Sequence, residues 1–183
     1  MTTIATTTTS AKRTRRVTTQ DIELFTQITG DRNPLHYDAD LAARSRFAGI
    51  VVQGGVTSGL LNALVAEDLP GPGSVFLNVN WNFRAPVRPG DELTAEAHVT
   101  GRHESKPVTT LATTITNQHG EVVLDGTAVV WRDPAVEAAL TVAAACPSTP
   151  IEPVHPHHTP TPGDPATTRR KSCPSAVVRR YPA

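Results

Sequence analysis

Between residues 77 and 83 the chain alternates strictly. Leu77, Val79, Trp81 and Phe83 are apolar, and Asn78, Asn80 and Asn82 stand between them. Successive side chains on a strand point to opposite faces, so this run predicts a strand with one packed and one wet face. Pro86, Pro89 and Gly90 predict a turn. Leu93, Ala95, Ala97 and Val99 repeat the alternation, with Glu96 and His98 facing outward. A third strand is expected over 108–117, a hairpin turn at His119-Gly120, and a last strand over 121–131.

Upstream the period lengthens. Thr18, with Asp21 three positions on, predicts a capped helix start. Ile22, Leu24, Phe25 and Ile28 give that helix its apolar side, and Gly30 its stop. Asp38 predicts the N-cap of a short helix running through Arg46. The run from Val56 to Ala66 contains no charged residue. A helix without a charged face is expected to be buried. Leu69-Pro70-Gly71-Pro72-Gly73 ends it. One buried helix followed by antiparallel strands implies an α+β domain in which the sheet wraps around the helix.

Composition adds boundaries. The chain has 183 residues and zero formal net charge. Residues 1–16 carry Lys12, Arg13, Arg15 and Arg16 and no acid, whereas 17–144 hold eight basic against fifteen acidic residues. An acidic middle does not attract a polyanion, so nucleic acid is not an expected partner. Residues 1–16 are polar and Thr-rich, with some transit-peptide character but no apolar secretory core, and read as a disordered tail. Residues 145–183 hold nine of the sixteen prolines and read as a second disordered tail. Its Val154-His155-Pro156-His157-His158 cluster reads as solvated, not metal-binding. Cys146 and Cys173 lie outside the patterned region, so no disulfide framework is expected. No run is apolar enough to span a bilayer, and a cytoplasmic protein is the default expectation. Neither a metal-ligand spacing nor a Gly-rich nucleotide loop appears in 17–144, so no cofactor or metal is called for.

The candidate chemistry sits in one loop, Gly30-Asp31-Arg32-Asn33-Pro34-Leu35-His36-Tyr37. Pro34 fixes its own φ and pushes Asn33 away from helical geometry, which stiffens the loop. Across such a turn Asp31 and His36 can converge, and together they can hold a water and move its proton near neutral pH. The same residues are also what a helix stop followed by a tight turn looks like. Residue types alone leave both readings open.

The wider motif narrows them. The run from Gly30 to Asp38, followed by Ala42-Ala43 and Phe47, resembles the hydratase signature of the MaoC-like (R)-specific enoyl-CoA hydratases, which are hotdog-fold proteins. The similarity continues through Ile50-Val51-Val52-Gln53-Gly54-Gly55, the apolar helix, Leu69-Pro70-Gly71 and Pro86-Val87-Arg88-Pro89-Gly90-Asp91, and spans about residues 17–132. It implies a single hotdog domain over 17–144. Asp31 and His36 would be the catalytic pair, adding water syn to a trans-2-enoyl thioester to form the (R)-3-hydroxyacyl thioester. The backbone N–H of Gly54 would form the oxyanion hole. The implied partners are an acyl-CoA or acyl-carrier-protein substrate and a second copy of the chain in a homodimer, with no membrane.

The chain departs from that pattern in places. Gln53-Gly54-Gly55 stands where the family usually has His-Gly-Met, and Asn62 where many bacterial members have Ser. Asn33, Gln53, Gly55 and Asn62 are therefore assigned to substrate binding, with pocket size and shape in question more than reaction type. Arg84 and Arg88 flank a turn where they can meet coenzyme A phosphates or stay solvated. Two other functions remain open: a hotdog thioesterase, which would need Glu67 or Asp68 at the thioester, and a non-catalytic acyl-CoA-binding subunit.

Overall fold

The computed structural model describes residues 9–145. The Pro-rich segment with its histidines, and both cysteines, lie outside the described residues. The elements in chain order are β1 (Ser10–Arg16), α1 (Thr19–Thr29), a single 3₁₀ turn (Pro34–His36), α2 (Ala39–Arg44), α3 (Gly54–Glu67), β2 (Ser74–Phe83), β3 (Glu92–Arg102), β4 (Val108–Thr116), β5 (Val122–Arg132) and α4 (Pro134–Ala145). The five strands form one antiparallel sheet in the order β1-β3-β4-β5-β2. α3 crosses its inner face. Leu60, Leu61, Leu64 and Val65 from the helix meet Leu93, Ala95 and Ala97 of β3, Leu111 and Ile115 of β4, and Leu124, Ala128 and Val130 of β5. The small Ala95 and Ala97 leave room for the helix to lie close over β3, while the larger residues on either side fill the flanks.

Alternation is kept where the sequence shows it. Leu93, Ala95 and Ala97 point inward, and Glu96 and His98 point out. β2 contains a departure. Its register steps from Phe76↔Val130 to Asn78↔Val129, which makes Leu77 the extra residue of a bulge. Phe76 turns inward in its place, and Leu77 is 58% exposed. A bulge resets the phase of a strand, which displaces Leu77. Val79 and Phe83, also expected on the packed face, are exposed on this edge strand, and of the four only Trp81 packs against the core.

Two further expectations are corrected. Residues 10–16 form the edge strand β1, paired in register with β3 from Ser10↔His98 to Arg16↔Glu92, and do not belong to a disordered tail. The strand lacks an apolar stripe because it lies at the sheet edge, where charged side chains are tolerated and deter further pairing. Its cations meet the acids of the middle: Lys12–Glu96 at 2.7 Å, Arg13–Asp68 at 2.8 Å, and Arg15–Asp21. Second, α3 is buried on its sheet side only. Gly54 and Asn62 are exposed, so the charge-free outer side is not covered within one chain. An element the sequence reading did not include, α4, follows the last strand. Asp133 caps it by accepting the N–H of Ala135, and Pro134 takes the first helical position.

α1 begins as its sequence predicts. Asp21 Oδ2 accepts both the N–H of Thr18 (2.8 Å) and its hydroxyl (2.9 Å). Gly30 ends the helix with φ of 77°, a left-handed conformation that costs glycine little. Burial raises the Asp21 carboxyl pKa, but the two Thr18 hydrogen bonds and the Arg15 charge outweigh it and hold the group below the usual carboxylate range. The stabilisation is thus fully present above the unfolded-state value and is lost as pH falls through the depressed folded value. Asp21→Asn should cost about 1 kcal/mol at pH 7, the size of a lost helix cap. Its deficit relative to the parent should close on acidification, as read from urea unfolding at a series of pH values.

Candidate active site

Both backbone polar groups of Asp31 have partners. Its N–H donates to Thr29 Oγ1 at 3.2 Å, and its carbonyl accepts the Thr26 hydroxyl at 2.6 Å. Its Oδ1 accepts the Asn33 N–H at 3.1 Å, and Asn33 Oδ1 accepts the Leu35 N–H at 3.1 Å. These two short side-chain turns bring the chain into the Pro34–His36 turn and place His36 back over Asp31. His36 Nε2 lies 3.6 Å from Asp31 Oδ2. The imidazole is 10% exposed and the carboxylate 38% exposed, so one partner is walled in and the other still reaches solvent.

The far nitrogen of the imidazole sets its proton. His36 Nδ1 is 2.7 Å from the carbonyl oxygen of Val51. A carbonyl only accepts, so Nδ1 carries hydrogen and the neutral ring presents the Nε2 lone pair toward Asp31. A separation of 3.6 Å is too long for a direct hydrogen bond, and it suits one water donating to both atoms.

Val51 ties this pair to α3. It stands three residues before Gly54, a span of at most about 11 Å of extended chain. Gly54 opens the helix, where the first N–H groups have no intrahelical acceptor and the dipole is positive. Beside it is a cavity of about 350 Å³ lined by Val51, Val52, Gly54, Thr57, Phe83 and Val87, with Arg46 and Arg84 also on its wall. The Phe83 ring leaves little space over Gly54: a Cβ there would stand 3.0 Å from Cε1.

These are features of a known kind of protein. The chain matches the MaoC like domain over residues 2–122. This chain belongs to the MaoC-like family. It is 38% identical over 120 residues to an (R)-specific enoyl-CoA hydratase of Aeromonas caviae, covering 66% of this chain and 90% of that one. It is 40% identical over 116 residues to a 3-hydroxybutyryl-CoA dehydratase of Methylorubrum extorquens, covering 63% and 73%. The solved structure of an (R)-hydratase from A. caviae involved in PHA biosynthesis superposes with a TM-score of 0.66 at 35% identity, covering 72% of this chain and all of that one. The hotdog fold expected from the signature is the fold observed.

Within this MaoC-like frame the assigned residues separate. Asp31, Asn33 and His36 share the loop, and Gly54 faces the cavity. Gln53 does not line that cavity. Its side chain is buried at 2% exposure, and Nε2 donates to Ile22 O (3.3 Å) and Thr26 Oγ1 (3.1 Å) on α1. Asn62 is exposed on the outer side of α3, not in a buried site, because it lies opposite the Leu61–Leu64–Val65 side that the sheet covers. Gly55 lies under the ring of Phe25: a Cβ at 55 would stand 2.1 Å from Phe25 Cζ. Arg88 is held by protein rather than solvated. Its guanidinium donates to the carbonyls of Phe47 and Ile50 and pins the segment before Val51. Arg84 is paired with Asp125 at 2.9 Å. Glu67 and Asp68 end α3, roughly 20 Å along the helix from Gly54 at 1.5 Å per residue. Asp68 is engaged with Arg13 there.

Sequence reasoning missed Thr26, Tyr37 and Phe25 as parts of the site, and weighed Arg88 only as a phosphate contact or a solvated residue. Thr26 carried a faint signal, a polar residue one helical turn after Ile22 on the buried side. The Phe25–Gly55 contact gives a test. Gly55→Met should cost about 1–3 kcal/mol by overpacking against the ring. Phe25→Ala in the same chain should recover part of that, as thermal denaturation of the single and double variants will show.

Proposed function

We propose that this chain catalyses the reversible hydration of trans-2-enoyl thioesters, carried on coenzyme A or an acyl carrier protein, to (R)-3-hydroxyacyl thioesters. The observation that carries this reading is the convergence of Asp31 Oδ2 on His36 Nε2 with the opposite nitrogen tied to Val51 O. One water donates a hydrogen bond to each atom and keeps a lone pair for attack. As its oxygen bonds to C3, His36 Nε2 takes a proton, and the C2–C3 π electrons move toward the thioester oxygen. The Gly54 N–H at the positive end of α3 stabilises the charge that develops there. The proton on Nε2 then passes to C2 on the same face, which completes a syn addition. The Asp31 carboxylate orients the water and stabilises the transient imidazolium. The cavity beside Gly54 takes the acyl chain, and its walls fit an apolar group.

The purified chain should hydrate crotonyl-CoA, followed by loss of the enoyl thioester absorbance. Asp31→Asn and His36→Ala should each lower kcat by about 10²–10⁴-fold, the usual worth of a positioned acid or base. No turnover of enoyl-CoA or enoyl carrier-protein substrates across chain lengths would sink the reading. Free thiol release from acyl-CoA would favour a thioesterase, for which the distant Glu67 and Asp68 speak against. Tight acyl-CoA binding without turnover would favour a binding subunit.

The functional unit in this proposal is a homodimer in the cytoplasm. No described helix is long and apolar enough to cross a membrane. The sheet has two unlike edges. β1 is charged, whereas β2 carries no charged residue and exposes Val75, Leu77, Val79 and Phe83. An edge without charge or proline invites pairing, and a second copy would cover it together with the outer side of α3. Sedimentation should give a dimer, and Val79→Lys should shift it to monomer. A monomeric parent at micromolar concentration would count against the assembly.

A further inference from the structure

We infer that Thr26 is a positioning residue for the catalytic carboxylate, and that Gln53 and Tyr37 set the direction of its single proton. This rests on the hydratase reading of Asp31 and His36 and goes beyond it, because it assigns work to three side chains outside that pair.

Proton bookkeeping carries the inference. Ile22 O can only accept, so the nitrogen of the Gln53 amide must face it. That same nitrogen also donates to Thr26 Oγ1 at 3.1 Å. The Tyr37 hydroxyl contacts Thr26 Oγ1 as well, and reaches Ile22 O at 3.4 Å. Thr26 has one hydroxyl hydrogen and two lone pairs. Its one acceptor-only neighbour is the Asp31 carbonyl, at 2.6 Å. The hydrogen goes there, and the lone pairs receive Gln53 and Tyr37. Thr26 is buried at 5% exposure, so solvent does not offer it a competing partner.

The consequence falls on Asp31. Its carbonyl is held by Thr26 and its N–H by Thr29, whose own hydroxyl donates to Phe25 O at 2.8 Å. With both flanking peptide groups held against α1, the direction of the Asp31 Cα–Cβ bond is set. The Asn33 N–H then takes Oδ1, and Oδ2 is left facing His36. A carboxylate held this way keeps one geometry with the imidazole, which a shared water needs. The replacement of the usual family His by Gln53 fits this arrangement. An amide donates without titrating, so the hydroxyl keeps its direction across the pH range over which an imidazole would change charge.

The test is Thr26→Val, which keeps the shape and removes the hydroxyl, beside Thr26→Ser, which restores it. In crotonyl-CoA hydration Thr26→Val should lower kcat about tenfold, with KM within about twofold, as expected for one lost positioning hydrogen bond. Thr26→Ser should stay near the parent. A Thr26→Val enzyme with parental kcat, or one whose loss falls on KM alone, overturns the inference. Resonances of the Asp31 carboxyl carbon and the His36 ring nitrogens provide a second readout that needs no turnover. They should move in Thr26→Val and hold in Thr26→Ser. If the parent hydrates no enoyl thioester, the hydratase reading fails, and these resonances still decide the positioning. If they are unchanged in Thr26→Val, the inference falls.

Discussion

The α3 helix must cover Leu60, Leu61, Leu64 and Val65, and the rest of the molecule is arranged around that requirement. Three antiparallel strands bring Leu93, Leu111, Ile115, Leu124 and Val130 to one face to meet them, and the alanines of β3 set how near the helix lies. Burying one such side chain fully is worth about 1.5–3 kcal/mol. This contact also fixes where the N-terminus of α3 sits. The helix start emerges beside the segment Val51–Gln53, whose backbone binds His36 on one side and the turn at Val87 on the other. The packing that stabilises the fold therefore also fixes where α3 starts relative to the segment that holds His36.

Charge is distributed to the same end. The chain is neutral overall, with a basic start and an acidic middle. The structure resolves this asymmetry locally, since the basic strand β1 lies along β3 and pairs Lys12, Arg13 and Arg15 with Glu96, Asp68 and Asp21. Most of these pairs are exposed and individually worth little. Their value is in register and in guarding one sheet edge, while the uncharged β2 edge stays open to a partner. Arg88 shows a different use of a cation. It satisfies two loop carbonyls and so stiffens the approach to Val51.

The site itself is a chain of oriented hydrogen bonds from α1 through the loop to α3. Thr26, Thr29, Asn33 and Val51 each hold one atom of the Asp31–His36 pair, and each bond has only one sensible donor direction. Two of the three substitutions relative to the usual family pattern fall beside these bonds, and Asn62 lies apart on the outer side of α3. Gln53 joins the chain of hydrogen bonds, and Gly55 gives its space to Phe25. Asp31 and His36 are left as the signature has them.

Much of this was legible in the chain. Strict alternation in β3, the Thr18–Asp21 cap, the Gly30 stop and the uncharged helix are local consequences of side-chain period and backbone preference, so sequence determined them by itself. It also supplied Asp31 and His36 on a stiff loop, and the family signature distinguished that loop from an ordinary turn. What sequence did not determine depends on contacts between distant segments. Strand β1 has no apolar period because its order comes from pairing with β3. The phase of β2 is shifted by a bulge at Leu77 that only its register with β5 defines. Asn62 looked interior because its helix is apolar, and only packing shows that it lies on the uncovered side. Thr26, a threonine on an amphipathic helix, becomes part of the site because Gln53, 27 residues away, and Tyr37 converge on its hydroxyl. Sequence sets which groups each residue offers; the tertiary structure decides which of them meet.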